Sequence, residues 1–125
     1  MTSKVKIIIA AAFFLFICWI IFEANMNRDL AILSWVKLIP NGDKIGHFIL
    51  YGCLAFLANL AFAYRFVKYR VLQIGGILVL TFAIGEEFTQ IWISNRTFDY
   101  VDILFDVLGI CGFTMLSTWI SVRSK

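Results

Sequence analysis

Apolar residues in this chain fall into four long blocks, separated by short segments that carry nearly all the charge. The first block, "IIIAAAFFLFICWIIF" at 7–22, follows Lys4 and Lys6. The second, "IGHFILYGCLAFLANLAFAY" at 45–64, is about 30 Å long as a helix, enough to cross a hydrocarbon core. The third is apolar from 71 to 84 and continues through Glu86 and Glu87 to 93, and the fourth covers 101–122. None alternates with the period of two that marks a half-buried strand. The pattern predicts an all-α fold, a polytopic membrane four-helix bundle, as one domain over 1–125. No repeat, low-complexity tract or linker divides it.

The first connection, 23–44, is long enough to hold structure of its own. Its apolar part, "DLAILSWVKLI" at 29–39, has 11 residues, too few to span. Trp35 and the stop at Pro40 predict a short interfacial helix lying on the membrane surface, and "PNGD" at 40–43 reads as a turn into the second span.

Composition agrees with the pattern. The chain is 62% hydrophobic with one proline, and its mean hydropathy is +0.89. A soluble domain is about half apolar, and here the polar side chains are too few to clothe a water-facing surface. The membrane is therefore an expected partner and nucleic acid is not. Cys18, Cys53 and Cys111 sit inside apolar blocks without metal or CxxC spacing, as small hydrophobes. The first block has the lysines and apolar core of a signal peptide, but Phe22-Glu23-Ala24 does not make a small-residue cleavage site, so a retained helix is expected.

Lysine and arginine set the orientation. With the N-terminus inside, Lys4, Lys6, Arg65, Lys68, Arg70, Arg123 and Lys125 lie on the inner side, and Arg28, Lys37, Lys44 and Arg96 on the outer. The positive-inside rule then gives an N-in, C-in protein, multi-pass in the inner (plasma) membrane. All eight acidic residues fall in the outer half.

Depth brings the polar residues together. Lys44, His47 and Tyr51 follow one helix face down from the outer interface. Glu87 and Gln90 are three apart at the outer end of the third span, while Glu86 either faces elsewhere or reaches Gln90. Asp102 and Asp106 share a face of the fourth span, continued by Gly109 and Gly112, whose small size would admit a neighbouring helix. A compact bundle must turn these faces inward, because a carboxylate facing lipid is costly.

Several of these residues also have plain structural readings. Asp43 would N-cap the second helix, and Asp99 the fourth with Asp102 completing a box-like pair. Arg96 would anchor at the interface or pair with a charge, Lys44 would pair with Glu86 or snorkel, and Tyr51 would be a core aromatic. The sequon at Asn95 lies in a very short loop at the membrane and reads as chance. Glu87, Asp106 and His47 are beyond capping, and intramembrane ionisable groups mark function, with mutual pairing as the alternative.

"DKIGHFILYGCLAF" followed by "EEFTQIWISNRTFDYVDILFDVLGICG" resembles the VanZ-like membrane family. The matching positions are Asp43, Lys44, His47, Tyr51, Glu87, Gln90, Arg96, Asp102, Gly109 and Gly112, across the second to fourth spans. Asp106 departs from the pattern, since many members carry asparagine there. The resemblance implies a small multi-pass bacterial inner-membrane protein of the cell envelope, in a family named for a factor of low-level teicoplanin resistance.

The leading functional expectation is recognition or modification of a membrane lipid or lipid-linked headgroup at the outer leaflet. Lys44 and Arg96, with Tyr51 and Gln90, would hold the headgroup. His47 and Glu87 are the acid–base candidates, and Asp102 and Asp106 would orient His47 or balance the cations. The alternatives are a proton- or ion-coupled transport component, for which the inner half lacks acidic residues, and an accessory protein whose polar cluster only locks the helices. A second copy of the chain or another membrane protein is an open partner. Metal binding by His47, Glu87, Asp102 and Asp106 has suitable ligand types without diagnostic spacing, and no cofactor or metal is expected.

Overall fold

The computed structural model describes residues 1–28, 30–66 and 72–125. Five α-helices follow in order: α1 (Ser3–Asn25), α2 (Ala31–Leu38), α3 (Gly42–Ala61), α4 (Ile74–Thr89) and α5 (Tyr100–Arg123), with a 3₁₀ turn, Gln90–Trp92, closing α4. No strand occurs among the described residues. Four segments (α1, α3, α4 with its 3₁₀ turn, and α5) are long and apolar enough to cross a membrane. The chain is thus a multi-pass membrane protein built as a four-helix bundle. Lys68, Arg70 and the expected start of the third span at 71 lie outside the described residues, as does Asp29 of the expected interfacial segment.

The helix ends have local causes. Thr2 caps α1, its hydroxyl accepting from Val5 N–H. Asn27 at φ 54° turns the chain away after α1. The second span ends at Ala61, short of the expected 64, because Ala63 and Tyr64 take left-handed φ and Tyr64 N–H bonds back to Asn59 O at 2.7 Å. Asp99 caps α5 as expected, accepting from Val101 N–H at 2.9 Å. Asp43 does not cap α3. Asn41 holds the cap position with φ 55°, and Asp43 lies in the first turn.

α3 is the central helix, packed against α1, α2, α4 and α5. It approaches α5 closely: a Cβ added to Gly109 would lie 2.2 Å from the Phe48 carbonyl oxygen. Gly109 therefore admits the neighbouring helix as the sequence predicts. Gly112 does not: it is exposed, and a Cβ there would meet nothing within 4 Å. α2 lies where the interfacial helix is expected and is shorter than 29–39. It turns Leu33 and Val36 inward and leaves Trp35 74% exposed and Leu38 83% exposed.

Burial is arranged for a lipid solvent. The apolar centre is small: Ile17, Tyr51, Leu54, Ala55, Val79, Ala83 and Ile110. Polar and charged residues make up most of the rest of the buried set, while Ile8, Leu15, Trp92, Met115 and Val122 point outward. In water this would expose far more apolar surface than a monomer tolerates; in a bilayer it is the arrangement of lowest cost.

Filling the Gly109 contact should be costly. Gly109→Ala is expected to destabilise the detergent-solubilised protein by roughly 1–3 kcal/mol, whereas Gly112→Ala should be neutral or slightly stabilising through helix propensity. Thermal unfolding of the two variants side by side checks this, and equal effects would refute the close α3–α5 approach.

Candidate functional site

The polar cluster forms where the N-terminus of α3, the C-terminus of α4 and the N-terminus of α5 meet, at the end of the bundle expected outside. Its first half is centred on Lys44. The ammonium donates to Asp99 Oδ2 and Asp102 Oδ1, each at 2.5 Å, and to Asp43 Oδ2 at 3.1 Å. Only 15% of the lysine side chain is exposed. Lys44 therefore ties the first turn of α3 to the first turn of α5, in place of the expected pairing with Glu86 or snorkelling. Asp99 sits just before α5, and the adjacent ammonium holds its carboxyl below the usual carboxylate range.

The expected capping box at α5 is not closed by Asp102, whose carboxylate is committed to Lys44. Instead Asp99 N–H donates to Glu87 Oε1 at 3.0 Å, so the box is completed from α4. Glu87 Oε2 accepts from Gln90 Nε2 at 3.2 Å, and the same amide nitrogen lies 3.0 Å from Glu86 Oε1. The 3₁₀ tightening after Thr89 brings Gln90 back over both glutamates.

The second half is centred on His47. Its Nδ1 lies 2.8 Å from Asp106 Oδ1 and its Nε2 lies 3.6 Å from Asp102 Oδ2. The Tyr51 ring stacks on the imidazole at 5.9 Å between centroids. Tyr51 turns its hydroxyl toward Glu86 Oε2 at 3.4 Å, a long contact. Asp106 is fully buried, and its Oδ2 has no hydrogen-bond partner. The structure thus brings together His47, Glu87, Asp102 and Asp106 from three helices, with Lys44, Tyr51 and Gln90 in direct contact with that group.

Arg96 stands at the edge. Its Nη1 donates to Asn25 Oδ1 at 2.9 Å, and its Nη2 is 3.9 Å from Glu86 Oε1. Asn95 Nδ2 donates to Ala24 O at 2.9 Å, so the loop between α4 and α5 is fastened to the end of α1 and the sequon amide is engaged. Next to this half lies a partly open cleft of about 220 Å³ between α1, α2 and α3. Ile17, Ile20, Ile21, Leu33, Val36 and Leu50 wall it, and Lys37, Asp43, His47, Tyr51, Glu86 and Arg96 form its polar side. A larger cavity, about 660 Å³, lies toward the opposite end among mainly apolar residues, Phe14, Phe62 and Phe82 included, and touches none of this chemistry.

Two features were not expected from sequence. Glu86 is buried and lines the cleft; the paired glutamates were visible, but not which of them would face it. Toward the opposite end lies a neutral polar layer. Gly76 N–H donates to Asn59 Oδ1 at 2.7 Å, Asn59 Nδ2 to Thr114 Oγ1 at 3.2 Å, and Gln73 Nε2 to Thr118 Oγ1 at 2.9 Å. Single uncharged polar residues in apolar blocks were its only signal.

Comparison with protein-family models, with curated proteins and with solved structures gives no match to this chain. Function is therefore read from the site.

Removing Lys44 would strand the carboxylates it holds, one of them buried. Lys44→Met is expected to cost roughly 3–5 kcal/mol of stability, and adding Asp102→Asn should recover a substantial part. Equilibrium unfolding in detergent measures both. A loss of only about 1 kcal/mol, the range of exposed pairs, would refute the hub role.

Proposed function

We propose that this chain is a VanZ-like envelope protein of the bacterial inner membrane that recognises the headgroup of a lipid or lipid-linked molecule at the outer leaflet. The carrying observation is the cleft. It has aliphatic walls from α1, α2 and α3 and a polar side holding Arg96, Lys37, His47, Tyr51 and Glu86. An amphiphile has this division of chemistry, with an acyl or prenyl chain against the walls and a headgroup among the polar residues. Arg96 and Lys37 offer charge to a phosphate, and Glu86, Tyr51 and His47 offer partners to hydroxyl groups. Lys44, committed to three carboxylates, serves here as the lock that holds α3 and α5 in register.

A transmembrane proton relay is supported less well. The ionic cluster and the neutral layer around Asn59 and Gln73 are separated by the apolar residues Leu54, Ala55, Val79, Ala83 and Ile110. The locking role favoured by Lys44 accounts for one half of the cluster and leaves the cleft and Asp106 unexplained.

Gly46 lines the cleft, and a Cβ built there meets nothing within 4 Å, so a large side chain can enter without disturbing the helices. Gly46→Phe is expected to retain the wild-type fold and to abolish lipid retention in native mass spectrometry of the detergent-extracted protein. Arg96→Ala should weaken retention of anionic lipids. Unchanged lipid stoichiometry in Gly46→Phe would refute occupancy of this cleft.

A further inference from the structure

His47, Glu87 and Asp102 come from α3, α4 and α5, yet one nitrogen or oxygen atom from each lies within 4.8 Å of the others. The orientation of the imidazole carries the inference. With Asp106 Oδ1 2.8 Å from Nδ1, a neutral ring that donates Nδ1–H to that carboxylate has its lone pair on Nε2. That lone pair faces Asp102 Oδ2 at 3.6 Å, beyond hydrogen-bond distance. Two atoms bound to one tetrahedral ion at about 2.1 Å are separated by about 3.4 Å. The gap is one that a shared cation fills.

Three further observations point the same way. Lys44 takes Asp102 Oδ1 and leaves Oδ2 directed at the imidazole. Asp106, the group that orients His47, is fully buried with Oδ2 unpartnered, so an unsatisfied carboxyl oxygen adjoins the triad. Among the described residues, six carboxylates (Asp43, Glu86, Glu87, Asp99, Asp102 and Asp106) gather here around two permanent cations, Lys44 and Arg96. Such an excess, largely buried, calls for added positive charge.

We propose that His47 Nε2, Asp102 Oδ2 and a carboxylate oxygen of Glu87 bind one divalent transition-metal ion of the Zn²⁺ or Mn²⁺ type, with Asp106 as the positioning residue behind the imidazole. One nitrogen and two carboxylate oxygens suit these ions. Three protein ligands leave further positions open, as in reactive rather than structural sites. The carboxylate–histidine–metal arrangement fixes the tautomer through the second shell. Of the three, His47 alone also lines the cleft, so the imidazole stands between the cleft and the ion's place. The proposal holds whether or not a lipid occupies the cleft.

The test uses the full chain in detergent, stripped with chelator and equilibrated with MnCl₂ or ZnCl₂. Elemental analysis is expected to give one ion per chain, and pulsed electron paramagnetic resonance of the Mn²⁺ form should show coupling to one imidazole nitrogen. Glu87→Gln and Asp102→Asn should each lower affinity at least about tenfold, and Asp106→Asn about 10–100-fold while the nitrogen coupling persists. If these variants fail to fold, wild-type stoichiometry and nitrogen coupling decide alone. Metal content no higher than in His47→Ala, or Mn²⁺ bound without nitrogen coupling, would overturn the site and leave a salt bridge only. Lipid retention measured on the stripped chain separates this outcome from failure of the lipid reading.

Discussion

The rest of the structure depends on one constraint: in a bilayer a polar side chain has no solvent except the protein itself. Hydrophobic burial cannot select one helix arrangement here, since lipid is as apolar as the core. Satisfaction of polar groups does. The bundle accordingly carries its specificity in two polar layers, an ionic one at the outer end and a neutral one toward the other. Between them lies an apolar layer thin enough that Ala55 and Ala83 sit at its centre. Lys44 is the strongest single tie, because its three carboxylates reach across the entrance of α3 and α5. Gly109 supplies the matching steric condition, letting the α5 backbone approach α3 closely at Phe48.

Much of this was legible in the sequence, where the information is local. Span positions follow from block length. The shared face of Lys44, His47 and Tyr51, the i, i+4 pair of Asp102 and Asp106, and the Asp99 cap follow from helical period. What the sequence left undecided is partner choice between helices. Asp102 completes a capping box by spacing alone, but the Lys44 ammonium outcompetes a backbone N–H for its carboxylate, and Glu87 arrives from α4 to take the vacated donor. Asp43 follows a turn and still does not cap, because the helix starts at Gly42 and Asn41, in the left-handed conformation, takes the cap position two residues earlier than expected. Gly112 follows Gly109 by helical spacing, yet it faces out of the bundle, and the contact with α3 passes to Phe113 and Thr114. Asn59 and Gln73 carry no charge and so gave no reason to be grouped.

The outer cluster divides into two parts with different chemistry. Around Lys44 every carboxylate meets a cation or a backbone donor, and such a part is complete in itself. Around His47 the accounting stays open: Asp106 Oδ2 lacks a partner, Tyr51 reaches Glu86 only at 3.4 Å, and the imidazole Nε2 faces an oxygen 3.6 Å away. A buried polar group without a partner costs free energy comparable to a lost hydrogen bond or more. Had locking been the sole requirement, apolar residues at Asp106 and Glu86 would hold the helices at lower cost, since replacing buried ionic groups by well-packed apolar ones is often neutral or stabilising. The open half adjoins the cleft through His47, Tyr51 and Glu86, and the closed half adjoins it only at exposed Asp43. Within the outer cluster, incomplete pairing is therefore concentrated on the half that adjoins the cleft, which is the distribution expected of a binding site held rigid by a separate structural lock.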